Sequence, residues 1–288
     1  VLEAVLIPEA RRTTLCVSTQ VGCALACSFC ATGYLGFKRN LTAGEIVGQV
    51  LRAREVLDPA EVLTNVVFMG MGEPLLNLPA VSEAIRIMTD QRGLALAPRR
   101  ITVSTAGIVH KIRPLLEVAP INLAISLHAT NDEVRDQLVP LNKRFSLQTL
   151  LETLRSEELI SAKRPVFFEY TLIEGVNDSL EDARRLPKLL EGIPAKLNLI
   201  PMNPHDDSDF RPPASSVCDA FAAEVHAAGM RVTLRKNRGR DIDAACGQLA
   251  RRTPSAQPEP GSQTGPRPLA LAEATRAQRA RAQSFRKR

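Results

Sequence analysis

The chain has 288 residues, 44% of them apolar, which suits one large domain or two small ones with a sizeable core. It has no run of 18 or more apolar residues, and no basic segment followed by an apolar stretch opens it, so neither a membrane span nor a secretory leader is expected. The formal charge of +6 gathers at one end: residues 251–288 hold nine basic and two acidic side chains, the other 250 residues 28 and 29, so a basic arm hangs on a near-neutral body. Such an arm suits a polyanionic partner and serves solubility equally well.

In chain order, a β-prone apolar run at 15–18 is followed by a cysteine-rich loop. A helical pattern at 42–56 comes next, opened by Thr42 and Glu45 at capping-box spacing. Strand and helix patterns then alternate: strand 64–69, helix 78–88, strand 100–104, helix 107–117, strand 122–127, helices 132–138 and 147–157. Strand 166–171, helix 180–190, strand 196–200, helix 214–227 and strand 231–234 complete the series. This alternation predicts a parallel α/β fold. No glycine-rich fingerprint opens the first strand–helix unit, so an open or closed barrel fits better than a dinucleotide fold. Chemistry in such barrels gathers past the C-terminal strand ends. The unusual residues fall there: the cysteines, GMGEP at 70–74, Ser104, SLH at 126–128 and PMNP at 201–204. From 251 to 288 Pro, Gly, Ser, Gln and Arg dominate, which predicts a disordered basic tail after a core of residues 1–250.

The six cysteines are Cys16, Cys23, Cys27, Cys30, Cys218 and Cys246. With no signal for export, reduced thiols in a cytoplasmic enzyme are the expectation. Cys23, Cys27 and Cys30 read CxxxCxxC. A structural zinc site needs four ligands, and no second cysteine pair or finger-spaced histidine supplies the fourth. Three thiolates on a four-iron cube leave one iron open to a substrate or cofactor. Cys218 reads as filler on a helix face, and Cys16 and Cys246, taken singly, as small buried hydrophobes.

Several long motifs go further. LCVSTQVGCALACSFCATG, GFKRNLT, VVFMGMGEPLLN, SLHATNDEVRDQLVP, EGVNDSLEDA, LNLIPMNP and RGRDIDAACGQL resemble the RlmN family of rRNA and tRNA adenine methyltransferases, within the radical S-adenosylmethionine superfamily. The resemblance runs from Glu3 to Leu249. It implies a partial (β/α)6 TIM-like barrel of the radical SAM type. It also implies one [4Fe-4S] cluster on Cys23, Cys27 and Cys30, and S-adenosyl-L-methionine held by Gly72, Glu73, Ser104, Ser126, Leu127, His128 and Asn203. Two cofactor molecules would be consumed per methylation. Cys246 matches the cysteine that carries the methyl group, from which a 5′-deoxyadenosyl radical takes hydrogen before the carbon adds to adenine C2. Glu3 matches the proton acceptor, and Cys16 the cysteine that releases the product through a disulfide with Cys246.

The partners so implied are 23S rRNA, tRNA and a flavodoxin- or ferredoxin-like reducing system, with no membrane and a monomeric chain. The family carries an N-terminal helical domain ahead of the barrel, and this chain, starting two residues before Glu3, is expected to lack it. Basic groups expected to meet phosphate are Lys38, Arg39, Arg235, Lys236, Arg238 and Arg240. With no Trp and only two Tyr, shape rather than stacking would carry recognition. Three alternatives remain at this point: methylation at adenine C8, as in the related Cfr branch; an iron–sulfur RNA-binding protein that has lost catalysis; and a structural zinc protein.

Overall fold

A computed structural model describes residues 2–9, 12–58, 61–205, 207–235 and 267–271. Cys246, Lys236, Arg238, Arg240 and the basic tail apart from 267–271 lie outside the described residues.

The chain opens with β1 (Leu2–Glu9) and β2 (Arg12–Cys16), followed by β3 (Gln20–Gly22), the short α1 (Ala31–Tyr34) and β4 (Phe37–Asn40). Then come α2 (Ala43–Val56), β5 (Leu63–Phe68), α3 (Leu78–Thr89), β6 (Ile101–Thr105), α4 (Ile112–Leu116) and β7 (Asn122–Ser126). The remaining elements are α5 (Asp132–Leu138), α6 (Leu147–Ser156), β8 (Val166–Leu172), α7 (Leu180–Leu189), β9 (Ala195–Pro201), α8 (Ser215–Ala227), β10 (Val232–Leu234) and β11 (Arg267–Leu271).

Local chemistry sets the helix starts. Thr42 and Glu45 form the expected capping box, the Thr42 N–H donating to the Glu45 carboxylate at 2.9 Å and the Glu45 N–H to the Thr42 hydroxyl at 3.2 Å. Asn131, Ser146 and Ser179 cap α5, α6 and α7 in the same manner, each accepting from a backbone N–H three residues on. The pattern at 107–117 is only partly helical. Gly107 takes a left-handed φ of 109°, so a 3-10 turn at Val109–Lys111 leads into a shortened α4.

Nine strands form one open, curled sheet in the order β10-β9-β8-β7-β6-β5-β2-β1-β11. From β10 to β2 every pairing is parallel, and β2, β5, β6, β7, β8 and β9 are the six strands of the expected partial barrel. β1 and β11 then extend the sheet antiparallel. The sequence reading contained neither strand. Arg267–Leu271, inside the stretch read as disordered, pairs along β1 from Leu2 to Leu6.

The helices cover one face of the sheet, with Leu15, Val66, Phe68, Val103, Ile125, Phe168, Tyr170, Leu197 and Leu199 in one apolar core. Side chains alternate between the faces along each strand, and the registers put Val5, Cys16, Val67, Thr102 and Asn122 in one row of the opposite, concave face. Ser126, Glu169 and Asn198 form a second such row, nearer the C-terminal strand ends.

Candidate active site

One cavity of about 170 Å³ opens at the C-terminal ends of the parallel strands. Cys23, Cys27 and Cys30 line it on one side, with Leu25 and Phe29 from the same loop. Gly70, Gly72 and Glu73 contribute from the turn after β5, Ser104 to Ala106 from β6, and Ser126 and His128 from β7. Glu169 and Thr171 come from β8, and Ile200, Met202, Asn203 and Arg235 close the far side.

The cysteine loop is clamped between β3 and β4, a two-stranded ladder of its own. Gly22, at φ 75°, passes so close to Gly36 that a Cβ would meet the Gly36 carbonyl at 1.7 Å, so only glycine fits there. The Cys23 N–H donates to that same carbonyl at 3.1 Å, and the Cys30 N–H to the Cys27 carbonyl at 3.1 Å. Ser28 ties the loop to the end of α5, its N–H donating to Leu138 O and its hydroxyl to Gln137 O. Burial pushes the Cys23 thiol up to about 11, and burial together with the neighbouring Cys30 and Cys23 raises Cys27 well above its ordinary value. These thiols therefore keep their protons unless a cationic centre displaces them. Among the described residues no three Cys, His, Asp or Glu side chains converge on a single metal ion. Three thiols set apart on one cavity wall suit a multi-iron cluster, whose ligated irons are separate atoms.

The turn after β5 is built round Glu73. Its two carboxylate oxygens accept from the N–H groups of Leu75 (3.0 Å) and Ala106 (2.9 Å), bracing the β5 turn against the end of β6. Burial raises the carboxyl above its ordinary range, against the lowering effect of those N–H groups, the Thr105 hydroxyl and Lys111. Gly72, at φ 92°, lies against Gln20, where a Cβ would come within 2.4 Å of the Gln20 Cβ. The Gln20 side chain in turn accepts from the Glu73 N–H at 2.9 Å and donates to Asn40 at 2.8 Å. Asn77 donates to the carbonyls of Thr19 and Leu41, fixing this turn to the cysteine hairpin.

His128 is buried at φ 59°. Its Nδ1 accepts from the Thr171 N–H at 3.0 Å, which leaves the ring proton on Nε2. Burial, with the nearby Arg135 charge, holds the imidazole down at about 3. Arg135 is wholly buried and donates to the carbonyls of Leu127 (2.9 Å), Ala106 (2.8 Å) and Ser126 (3.0 Å) and to Asn142 Oδ1 (2.8 Å). It thereby gathers the ends of β6 and β7 beneath the cavity. Burial lowers it to about 10, with Cys27, Asp132 and Asp136 opposing.

A profile described as the Radical SAM superfamily matches residues 17–186. The dual-specificity RNA methyltransferase RlmN of Marinobacter nauticus is 51% identical over 256 residues, covering 87% of this chain and 69% of that protein. The RlmN of Syntrophobacter fumaroxidans is 50% identical over 248 residues, covering 86% and 72%. The chain belongs to the RlmN family. A radical SAM methyltransferase from Sphaerobacter thermophilus has the same fold, with a TM-score of 0.80 at 47% identity over 85% of this chain and 72% of that one. Streptococcus suis SuiB bound to S-adenosylmethionine, at 11% identity and a TM-score of 0.58, shares the fold alone.

Of the residues singled out by resemblance to RlmN, Cys23, Cys27, Cys30, Gly72, Glu73, Ser104, Ser126, His128 and Asn203 all line this one cavity. The Leu127 side chain lies in the core on the other face, and its N–H and carbonyl are bonded to Glu169 and Arg135. Cys16 sits behind the wall, packed with Val5 and Met71 and against Met69, which lines the cavity. Glu3, two residues before Val5 on β1, shares that concave face, and its carbonyl accepts from the Ser18 hydroxyl at 2.7 Å. Lys38 stands on exposed β4, whereas Arg39 is engaged with Glu45 at 2.8 Å. Sequence reasoning passed over Arg135, Gln20, Asn77 and Glu169. Arg135, Gln20 and Asn77 stand inside the motifs given above, but a polar residue carries no burial signal before the strands around it are placed.

Proposed function

We propose that this chain is a methyltransferase that modifies C2 of an adenine in 23S rRNA and in tRNA, with S-adenosyl-L-methionine and one [4Fe-4S] cluster as its cofactors. The observation that carries this reading is the match to RlmN enzymes at half identity over most of the chain, with three thiols and five strand ends meeting at one cavity. When bound, cluster and cofactor supply the one-electron and radical chemistry that an unactivated aromatic C–H requires.

In this reading Cys23, Cys27 and Cys30 hold the cluster. Gly72, Glu73, Ser104, Ser126, His128 and Asn203 form the cofactor site, and Leu127 between Ser126 and His128 anchors their turn from the core side. Glu73 and His128 are set by their own hydrogen bonds before anything binds, so little reorganisation accompanies binding. Neutral His128 presents an Nε2 N–H, a donor suited to a carboxylate or hydroxyl oxygen. Cys246 carries the methyl carbon to the base, and the Glu3 carboxylate takes the C2 proton. The Cys16 thiolate then attacks the Cys246 sulfur. The sulfur–carbon bond breaks with its electron pair on the methylene carbon, which takes a proton to become the product's methyl group. A Cys16–Cys246 disulfide remains, to be reduced by the electron donor before the next turnover. Val5, Val67, Met69 and Met71 pack round Cys16 and shield it from water. The target adenine must leave its stack to reach a site at this depth. The catalytic core is 1–250, and 251–288 follows it as a basic arm.

For partners, no helix among the described residues is long and apolar enough to cross a membrane. We place the chain in the cytoplasm as a monomer, reduced by a flavodoxin- or ferredoxin-like donor, because thiols that must stay reduced fit that compartment.

The test is anaerobic reconstitution followed by turnover on rRNA fragments and tRNA, with the modified nucleoside resolved by mass spectrometry. 2-Methyladenosine from the native chain, and none from Cys246→Ala, is expected. The 8-methyl isomer, or product from Cys246→Ala, would refute the reading.

A further inference from the structure

Glu169 is a buried carboxylate for which neither the fold nor the roles above provide a use. It is 5% exposed, sits near the C-terminal end of β8, and lines the cavity. The Asn198 amide donates to Oε1 at 2.9 Å and fixes the plane of the group. Oε2 is buried and has no hydrogen-bond partner among the described residues. A buried acceptor left in that condition is destabilising, and Glu169 stands in register with Ser126 on the concave face, both residues lining the cavity. Burial raises the carboxyl above its ordinary range, with the Asn198 bond and the Arg235 charge opposing.

Its place in the sheet says what would meet it. The cysteine loop follows β2, and β8 stands four strands away in the order β8-β7-β6-β5-β2. At about 4.8 Å per strand this is roughly 19 Å along the arc. Resting on the function proposed above, the amino-acid end of S-adenosylmethionine belongs at the cysteine loop, so its adenosyl half extends toward β7 and β8. That half carries donors, two ribose hydroxyls and the adenine amine.

We propose that Glu169 is a further cofactor-binding residue, its Oε2 accepting a hydrogen bond from an O–H or N–H donor of the adenosyl half of S-adenosylmethionine. Glu169→Gln is the sharpest probe. With Asn198 still holding Oε1, the substitution puts an NH2 group where Oε2 was, so donor faces donor in an unchanged shape.

The experiment measures binding of S-adenosylmethionine to the anaerobically reconstituted chain, without RNA, by equilibrium dialysis. The 2′-deoxy, 3′-deoxy and N6,N6-dimethyl analogues are compared on the native chain and on Glu169→Gln. The native chain should bind one of these analogues at least tenfold more weakly than the cofactor, about 1.4 kcal/mol. Glu169→Gln should bind the cofactor at least tenfold more weakly at unchanged iron content, and should no longer discriminate against that analogue. Which analogue responds identifies hydroxyl or amine. Cofactor binding to Glu169→Gln within twofold of native overturns the proposal. So does equal discrimination by both proteins, or a native chain that binds all three analogues within twofold of the cofactor, a result independent of how the variant folds. A native chain that binds no S-adenosylmethionine refutes the function instead.

Discussion

Replacing His128 by Asn separates a proton-linked part of the stability from everything else in the site. The folded imidazole is held at about 3 from an ordinary 6.5, chiefly by burial, and its Nδ1 faces the Thr171 N–H, so a second ring proton has nowhere to go. Because the folded value is depressed, the unfolded chain takes up the proton first as pH falls. The stability is present above pH 6.5 and is lost as pH drops from there toward 3. Linkage puts the loss at about 0.4 kcal/mol at pH 6.5 and about 2 kcal/mol at pH 5. Asn is the apt replacement, since its side-chain oxygen accepts from Thr171 and it tolerates the left-handed backbone at φ 59°. Urea unfolding of the cluster-free chain, at steps between pH 7.5 and pH 5, should show native stability falling by about 2 kcal/mol more than that of His128→Asn. Parallel slopes in the two proteins would mean that His128 is protonated in the fold and that the buried, neutral imidazole is wrong.

Arg135→Met strands three backbone carbonyls and the Asn142 amide oxygen; a loss of about 3–5 kcal/mol is expected from urea unfolding at pH 7.5, and one under about 1 kcal/mol would contradict the bracing role. Gly72→Ala forces a side chain into left-handed backbone and onto Gln20, so a loss of about 2–4 kcal/mol is expected, with cofactor binding weakened because the Glu73 turn shifts. Cys27→Ala should abolish iron retention, read by iron and sulfide analysis, yet change the stability of the cluster-free chain by no more than about 1 kcal/mol. A cluster-free variant that is unfolded by circular dichroism would show that the thiol itself holds the loop.

The parallel strands were legible because each is a short apolar run buried against helices on one face and bounded by a turn. β5, β6, β7, β8 and β9 fall within a residue or two of their expected limits. Thr42 with Glu45 marked the start of α2, and α5, α6 and α7 also start where their patterns do, behind the caps Asn131, Ser146 and Ser179. β3 and β4 escaped because three or four residues with a largely exposed FKRN edge have no buried face to alternate. β1 escaped because LEAVLIPE is apolar nearly throughout and its two faces become distinct only when β2 is laid beside it. In the site, cysteine spacing announced itself and the motifs supplied the rest. Glu169 and Arg135 did not stand out, because their roles arise from burial, a property of the assembled sheet.

The cysteine hairpin is anchored by bonds that owe nothing to iron: the β3–β4 ladder, the Gly22–Gly36 approach, Ser28 on α5, Tyr34 on Ser28 and Asn77 beneath. Zinc fingers, by contrast, collapse when stripped of metal. A chain that loses its cube to oxygen therefore keeps the mould in which the cube was cast. Damage of that kind is repairable by refilling in place, with no need to discard and resynthesise the polypeptide.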